Sequence, residues 1–328
     1  MAIILGKHRI DGPLFLAPMA GVTDRAFREL CREFGVNYAV AEMVASQPQL
    51  RETAKSRSRM IFGENESPRV VQLLGADPVL LEKAFYWAAE AGADVIDFNM
   101  GCPAKKVCSV ACGSALMRDE AQAQAILEAL GRASQTADIP VTLKCRTGWD
   151  EAHKNALTIT KMAQDNGFRL VTVHGRTRAG GFMSPVEYDT IAEVVSELAI
   201  PVVANGDITT GEEAKRVLDY TGAAAVMVGR AAMGQPWIFQ EMKAVLSGQK
   251  VVSLTMKEKA QTVLKHQDWH FADYDELTAV RNFRKHLLWY LKDFDNFESV
   301  REVLCRAETA QEQKALLRQY FANQGWLD

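Results

Sequence analysis

Leu170-Val171-Thr172-Val173-His174, Val202-Val203-Ala204-Asn205 and Ala225-Val226-Met227-Val228 are three short, β-branched, nearly all-apolar runs. Each ends at, or just before, polar or glycine residues: His174-Gly175-Arg176, Asn205-Gly206-Asp207 and Gly229-Arg230. Near-continuous apolar runs bounded by turn residues suit strands buried on both faces, the situation of parallel sheets. Five more lie upstream: Leu14-Phe15-Leu16-Ala17, Tyr38-Ala39-Val40-Ala41, Arg69-Val70-Val71-Gln72-Leu73, Val95-Ile96-Asp97-Phe98-Asn99 and Val141-Thr142-Leu143-Lys144.

Helical patterns separate most of them. Pro78 to Glu90 reads as a helix with Asp77 at the N-cap and Pro78 in the first turn. Asp119 to Ala137, Ala152 to Asn166 (closed by Gly167) and Thr210 to Tyr220 (followed by Gly222) are the others. The link from Arg51 to Pro68 is long and charged and reads as irregular. Eight strands alternating with helices fit an α/β fold, a TIM (β/α)₈ barrel over residues 1–250. A doubly wound open sheet is the competing architecture. Against it, no G-x-G-x-x-G follows the first run, and the polar residues gather at the C-terminal ends of nearly all the runs. After Val252 the strand runs stop. Lys257 to Tyr274, Glu276 to Lys292, Phe297 to Ala307 and Thr309 to Gln324 read as helices, giving a C-terminal α-helical bundle over 251–328.

Composition narrows the class. The 328 residues are 48% hydrophobic and 24% charged, with a net charge of −3. No apolar stretch approaches the roughly 20 residues of a membrane span. The N-terminus has no signal-peptide pattern, so a cytoplasmic location and no membrane partner are expected. Six cysteines in a chain of this length are not a disulfide framework, and C-x-x-C pairs are absent, so no metal is expected. The net charge argues against a globally basic nucleic-acid binder but leaves room for a local basic patch.

The strand ends carry the chemistry. Ala17-Pro18-Met19-Ala20-Gly21-Val22-Thr23-Asp24 reads on its own as a rim turn, and otherwise as backbone that approaches a flat ring closely. Gln72, Lys144 and His174 stand where buried strands meet the mouth. Lys144 suits a negative charge on a ligand, or else a core ion pair with Asp97 or Glu42; His174 is a ring contact or a structural histidine. Asn205-Gly206-Asp207 and Gly229-Arg230 follow strands seven and eight, where barrels often hold a phosphate. Cys102, in Asn99-Met100-Gly101-Cys102-Pro103, sits in a loop at the active face as nucleophile or proton donor. Lys144-Cys145-Arg146-Thr147-Gly148-Trp149 and His174-Gly175-Arg176-Thr177-Arg178 place arginines beside an aromatic, a pattern suited to phosphate contact and base stacking.

Taken in order, the Ala17–Asp24, Asn99–Pro103, Arg146–Trp149, His174–Arg178, Asn205–Asp207 and Gly229-Arg230 motifs resemble those of the tRNA-dihydrouridine synthases. The continuation Ala104-Lys105-Lys106-Val107 is most similar to the bacterial B-type branch, and the resemblance spans essentially the whole chain. It implies an oxidoreductase that reduces the C5–C6 bond of a D-loop uridine in tRNA, with FMN at the barrel mouth and NADPH or NADH as reductant. Pro18, Met19, Ala20, Gln72, Lys144, His174, Asn205, Gly206, Asp207, Gly229 and Arg230 would then hold FMN. Cys102 would protonate C5. Asn99, Arg146, Arg176 and Arg178 would contact the substrate, and Arg281 and Arg284, on a basic tail face with Lys257, Lys265 and Lys285, would carry tRNA binding by the helical tail. A monomer is expected. The chain departs from the B-type pattern at Cys108-Ser109-Val110-Ala111-Cys112, which replaces basic residues and sets two thiols near Cys102. Two other readings stay open: an FMN barrel acting on a free pyrimidine or other small molecule, and an RNA-binding protein with a vestigial barrel.

Overall fold

The structure is a computed structural model describing residues 2–51 and 53–327, without the side chains of Lys55, Lys105 and Lys106. The strands are β1 (Ile3–Leu5), β2 (His8–Ile10), β3 (Leu14–Leu16), β4 (Tyr38–Ala39), β5 (Val44–Ala45), β6 (Val70–Leu74), β7 (Val95–Met100), β8 (Val141–Arg146), β9 (Leu170–His174), β10 (Val202–Asn205) and β11 (Ala225–Val228). β1 and β2 form an antiparallel hairpin that the sequence reading did not anticipate. Ile3, Leu5 and Ile10 bury against Phe15, Tyr38, Val70 and Val95, so the hairpin plugs the N-terminal end of the barrel.

β3 to β11 form one parallel sheet in the order β4-β3-β11-β10-β9-β8-β7-β6-β5. Its two ends, β4 and β5, are halves of one short segment, and a Val40–Val70 bridge joins β4's continuation to β6. The ring therefore closes with eight staves, the second broken in the middle. The expected TIM barrel is what the chain builds.

The helices are α1 (Arg25–Glu33), α2 (Pro48–Arg51), α3 (Ala54–Ser58), α4 (Pro78–Glu90), α5 (Lys105–Cys108), α6 (Glu120–Ala137), α7 (Ala156–Asp165), α8 (Asp189–Glu197), α9 (Gly211–Thr221), α10 (Ile238–Leu246), α11 (Met256–Asp273), α12 (Glu276–Leu291), α13 (Phe297–Arg306) and α14 (Ala310–Asn323). Asp77, Asp119 and Thr210 cap α4, α6 and α9 through their side-chain oxygens. α7 starts four residues later than the sequence suggested. Asp150 Oδ1 takes the Ala152 N–H, and Gly148 bridges Lys154, so a tight turn uses the residues that would have begun the helix. The described part of the 51–68 link holds one short helix, α3, followed by turns, and is pinned by the buried pair of Arg28 with Glu66 (2.6 Å).

α11 to α14 pack around Phe283, Leu287, Leu317 and Phe321. This unit meets the barrel along α1. There Arg25 forks onto Asp273 (2.8 and 2.9 Å), and Asp24 accepts from His270 Nδ1 at 2.7 Å. His266 and His286 lie beside that pair, fully buried. No described helix is long and apolar enough to cross a membrane.

Candidate active site

Parallel pairing fixes which side chains share a level. The register sets Asn99 beside Lys144, Arg146 beside His174, His174 beside Asn205 and Asn205 beside Met227. All of these are at the C-terminal ends of their strands, where barrel active sites lie. They open on a cavity of about 830 Å³ floored by Ala17, Pro18, Met19, Met43 and Met227.

A relay of hydrogen bonds crosses three strands beneath the Cys102 loop. Thr142 Oγ1 donates to Asp97 Oδ1 (2.6 Å), and Gln72 Nε2 donates to Asp97 Oδ2 (2.7 Å). Asn99 Nδ2 donates to Gln72 Oε1 (2.8 Å). Asn99 Oδ1 then accepts both the Gly101 and Cys102 backbone N–H groups at 3.0 Å. Arg146 Nε holds the Gly101 carbonyl from the other side at 2.9 Å. Cys102 is thus presented on a fixed turn, with Ser114 Oγ donating to its carbonyl (2.9 Å). Burial pushes the Cys102 thiol above its ordinary range, so it stays protonated near neutral pH. That favours a proton donor over a nucleophile.

Lys144 Nζ donates to Asn205 Oδ1 (3.0 Å). The core ion pair with Asp97 or Glu42 does not form: Gln72 and Thr142 occupy Asp97, and Arg59 and the Gly21 N–H occupy Glu42. Burial, with Arg146 close by, draws the Lys144 ammonium down to about 8. His174 is drawn to about 3 by burial and by Lys144 and Arg146, so it is neutral. Asn205 Nδ2 donates to Met227 O, which makes Asn205 Oδ1 an acceptor and His174 Nδ1 the protonated nitrogen (2.8 Å). Burial also raises Asp97 to about 6.

Beyond β10, Gly206 (φ +131°) and Asp207 (φ +40°) turn the chain across the mouth. Arg176 grips the Asp207 carboxylate through both terminal nitrogens, and Arg230 reaches it at 2.8 Å.

The family model for dihydrouridine synthase matches residues 15–324. The chain belongs to the dihydrouridine synthase family. It is 44% identical to tRNA-dihydrouridine synthase B of Pseudomonas aeruginosa over 97% of this chain and 95% of that protein. The protein of that description from Xanthomonas campestris is 46% identical over 97% and 95%, and that from Shewanella oneidensis 45% over 97% and 98%. A solved variant of NCR from Zymomonas mobilis shares the fold, with a TM-score of 0.52 at 15% identity, over 78% of this chain and 93% of that one. Membership makes the chain a flavin-dependent oxidoreductase.

The cavity is lined by Pro18, Met19, Ala20, Gln72, Asn99, Cys102, Lys144, Arg146, His174, Asn205, Gly206, Asp207, Gly229 and Arg230. Arg176 is buried outside the lining, spent on Asp207 and on the Ser184 carbonyl (2.5 Å). Arg178 stacks on Trp149 (4.5 Å), which Arg118 also approaches at 4.8 Å. Arg281 is exposed on α12, and Arg284 donates to Ala307 O at 3.0 Å, so neither reaches the cavity.

Sequence reasoning missed Met43, Phe182, Met233 and Trp289 as lining residues, and placed Lys285 on a tail face rather than in the cavity. Phe182 carried a faint signal, an aromatic in a glycine-rich loop after the sixth strand. Its ring lies within 5.3 Å of both the Arg146 and Arg230 guanidinium carbons. All six cysteines are free thiols; Cys108 Sγ points at the Cys102 carbonyl (3.6 Å).

Proposed function

We propose that this chain reduces a D-loop uridine of tRNA to 5,6-dihydrouridine, using FMN and NADPH or NADH. The observation that carries this reading is the Cys102 thiol, held on its turn by the Asn99 relay and facing the same cavity as Lys144 and His174. A carbon that has just gained a hydride at its neighbour needs a positioned acid, and a thiol near neutrality supplies one.

The cavity suits FMN. Ala17, Pro18, Met19 and Ala20 offer an apolar wall for a flat ring. Gln72, Lys144 and the neutral His174 offer polar atoms to its edge. Asn205, Gly206, Asp207, Gly229 and Arg230 form the pair of loops that barrels use for phosphate. FMN held by these residues would, once reduced, supply hydride chemistry at uracil C6. Cys102 gives its proton to C5 and regains one from water. Arg146 holds Gly101 and lends positive potential beside the thiol, and the Lys144 ammonium balances negative charge within the buried mouth. Asn99 fixes the Cys102 turn.

Residues 1–250 hold the cofactor in this reading, and 251–328 contact tRNA through α12, with Arg281 on its exposed side and Arg284 beside it, tied to the Ala307 carbonyl. Arg178, stacked on Trp149, contacts RNA phosphate at the mouth, and Arg176 acts by setting Asp207. The protein acts as a cytoplasmic monomer.

The test is NADPH-dependent dihydrouridine formation in unmodified tRNA, run beside Cys102→Ala. Product from the wild type and little from the variant is the expected outcome. A yellow protein that oxidises NADPH but leaves tRNA unchanged would overturn the substrate and favour a small-molecule pyrimidine.

A further inference from the structure

The barrel does not enclose the cavity alone. Lys285 and Trp289 of α12 also line it. They lie one helical turn apart and so share a face. The other side of α12 buries Phe283, His286, Leu287 and Tyr290.

Both seats of this face on the barrel are left-handed glycines. Gly21 has φ +77° and Gly234 φ +74°. A Cβ on Gly21 would stand 3.6 Å from Lys285 Nζ. A Cβ on Gly234 would overlap the Trp289 carbonyl, so here α12 rests backbone to backbone on the loop after β11. Gly21 belongs to the loop after β3, and Gly234 follows Arg230. The Trp289 ring is fixed on its inner side by His286, edge-on at 5.2 Å. The tail is therefore fitted to two active-face loops, and its i, i+4 pair reaches the space above them.

From this geometry we infer that Lys285 and Trp289 are substrate-positioning residues. The Lys285 ammonium takes a phosphate flanking the uridine in the cavity, and the Trp289 indole packs against that nucleotide. The inference rests on the tRNA reading above. A base drawn out of its stack loses its neighbours, and an aromatic face with a phosphate contact compensates for that loss. A free pyrimidine has no phosphate for Lys285 to hold.

The experiment measures initial rates against tRNA concentration, at several salt concentrations, for holoenzyme carrying Lys285→Gln, Lys285→Arg, Trp289→Leu or Trp289→Phe. FMN per protein is determined on the same samples. Lys285→Gln is expected to raise KM for tRNA roughly 10-fold and to reduce the slope of log kcat/KM against log salt by about one, with Lys285→Arg restoring the slope. Trp289→Leu is expected to lower kcat/KM about 5- to 100-fold, and Trp289→Phe less. Wild-type kcat/KM and salt slope in both Lys285→Gln and Trp289→Leu would overturn the inference. Loss of FMN from Lys285→Gln would also overturn it, because the lysine would then serve the cofactor. A wild-type enzyme that modifies no tRNA would overturn both this inference and the reading beneath it, before any variant is compared.

Discussion

The barrel mouth and the seam between barrel and tail both bury polar side chains, and they treat them differently. At the mouth, the relay through Thr142, Asp97, Gln72 and Asn99 ends on two backbone N–H groups, with each link between 2.6 and 3.0 Å. At the seam, His266 Nε2, His270 Nε2 and both ring nitrogens of His286 have no hydrogen-bond partner among the described residues. His270 and His266 each keep one bond, to Asp24 (2.7 Å) and to the Tyr290 hydroxyl (3.0 Å), and His286 is held by shape, edge-on to His266 at 4.8 Å and stacked on Phe283 at 5.5 Å. The mouth uses its polar groups to fix the backbone of the Cys102 turn. The seam uses His266 and His286 as flat, neutral packing pieces, a role that holds only while they stay neutral.

The largest expected effect separates chemistry from stability at the mouth. Cys102→Ala should lower kcat by about 10²- to 10⁴-fold, the usual worth of a positioned acid. FMN content and thermal midpoint should stay near wild type, since the loop is held by Asn99 and Arg146 rather than by the thiol. A variant as active as the wild type would remove Cys102 from the reaction.

Acid should find the seam. Burial draws His266 down to about 3 and His286 well below its ordinary value. Once unfolded, both bind protons below about pH 6.5, whereas in the folded chain they do not, so stability is full above that pH and is lost as pH falls. Each histidine contributes about 1.4 kcal/mol of loss at one unit below 6.5. The neutral His174 adds a loss of the same sign. Chemical denaturation between pH 7.5 and 5.5 should show this loss, and His286→Leu should make the slope shallower. Stability unchanged down to pH 5.5 would mean that the seam's histidines have a partner in solution.

The relay is expected to matter less than the thiol it supports. Asn99→Ala leaves the Gly101 and Cys102 N–H groups and the Gln72 carbonyl without their partner, at about 1–3 kcal/mol. The loss should appear in kcat more than in the melting temperature, because the turn shifts before the barrel unfolds. If melting falls and kcat does not, the relay is a structural feature of the strands and does not position Cys102.

Much of the mouth was legible in the sequence because a parallel barrel is periodic. Strand runs, caps such as Asp77 and Thr210, and polar residues at strand ends each follow from local pattern, and strand ends converge by the architecture alone. Lys144, His174 and Asn205 could be placed together without knowing a single distance. The relay was not legible, since it depends on register between β6, β7 and β8. The seam was not legible either. His266 and His270 read as ordinary positions on a helix, and their meeting with Asp24, some 240 residues away, comes from tertiary packing. Trp289 was hidden for that reason as well, and Lys285 could not be told from Arg281 and Arg284 on the same helix, because charge is visible in a sequence and direction is not.

The smallest expected effect tests what holds the seam closed. Lys265 pairs with Glu33 of α1 at 2.6 Å, but both side chains are close to half exposed. Such pairs contribute at most about 1 kcal/mol, and salt screens them. Arg25 with Asp273 and Asp24 with His270 are much more buried, and removing one partner there strands a charge. Lys265→Ala should therefore change the denaturation midpoint by little, and the difference should vanish in high salt. Arg25→Ala should cost more and keep most of its effect in salt. If Lys265→Ala proved as damaging as Arg25→Ala, the tail would be held to the barrel by its surface charges. The buried histidines would then be filling between the two units and not their fastening.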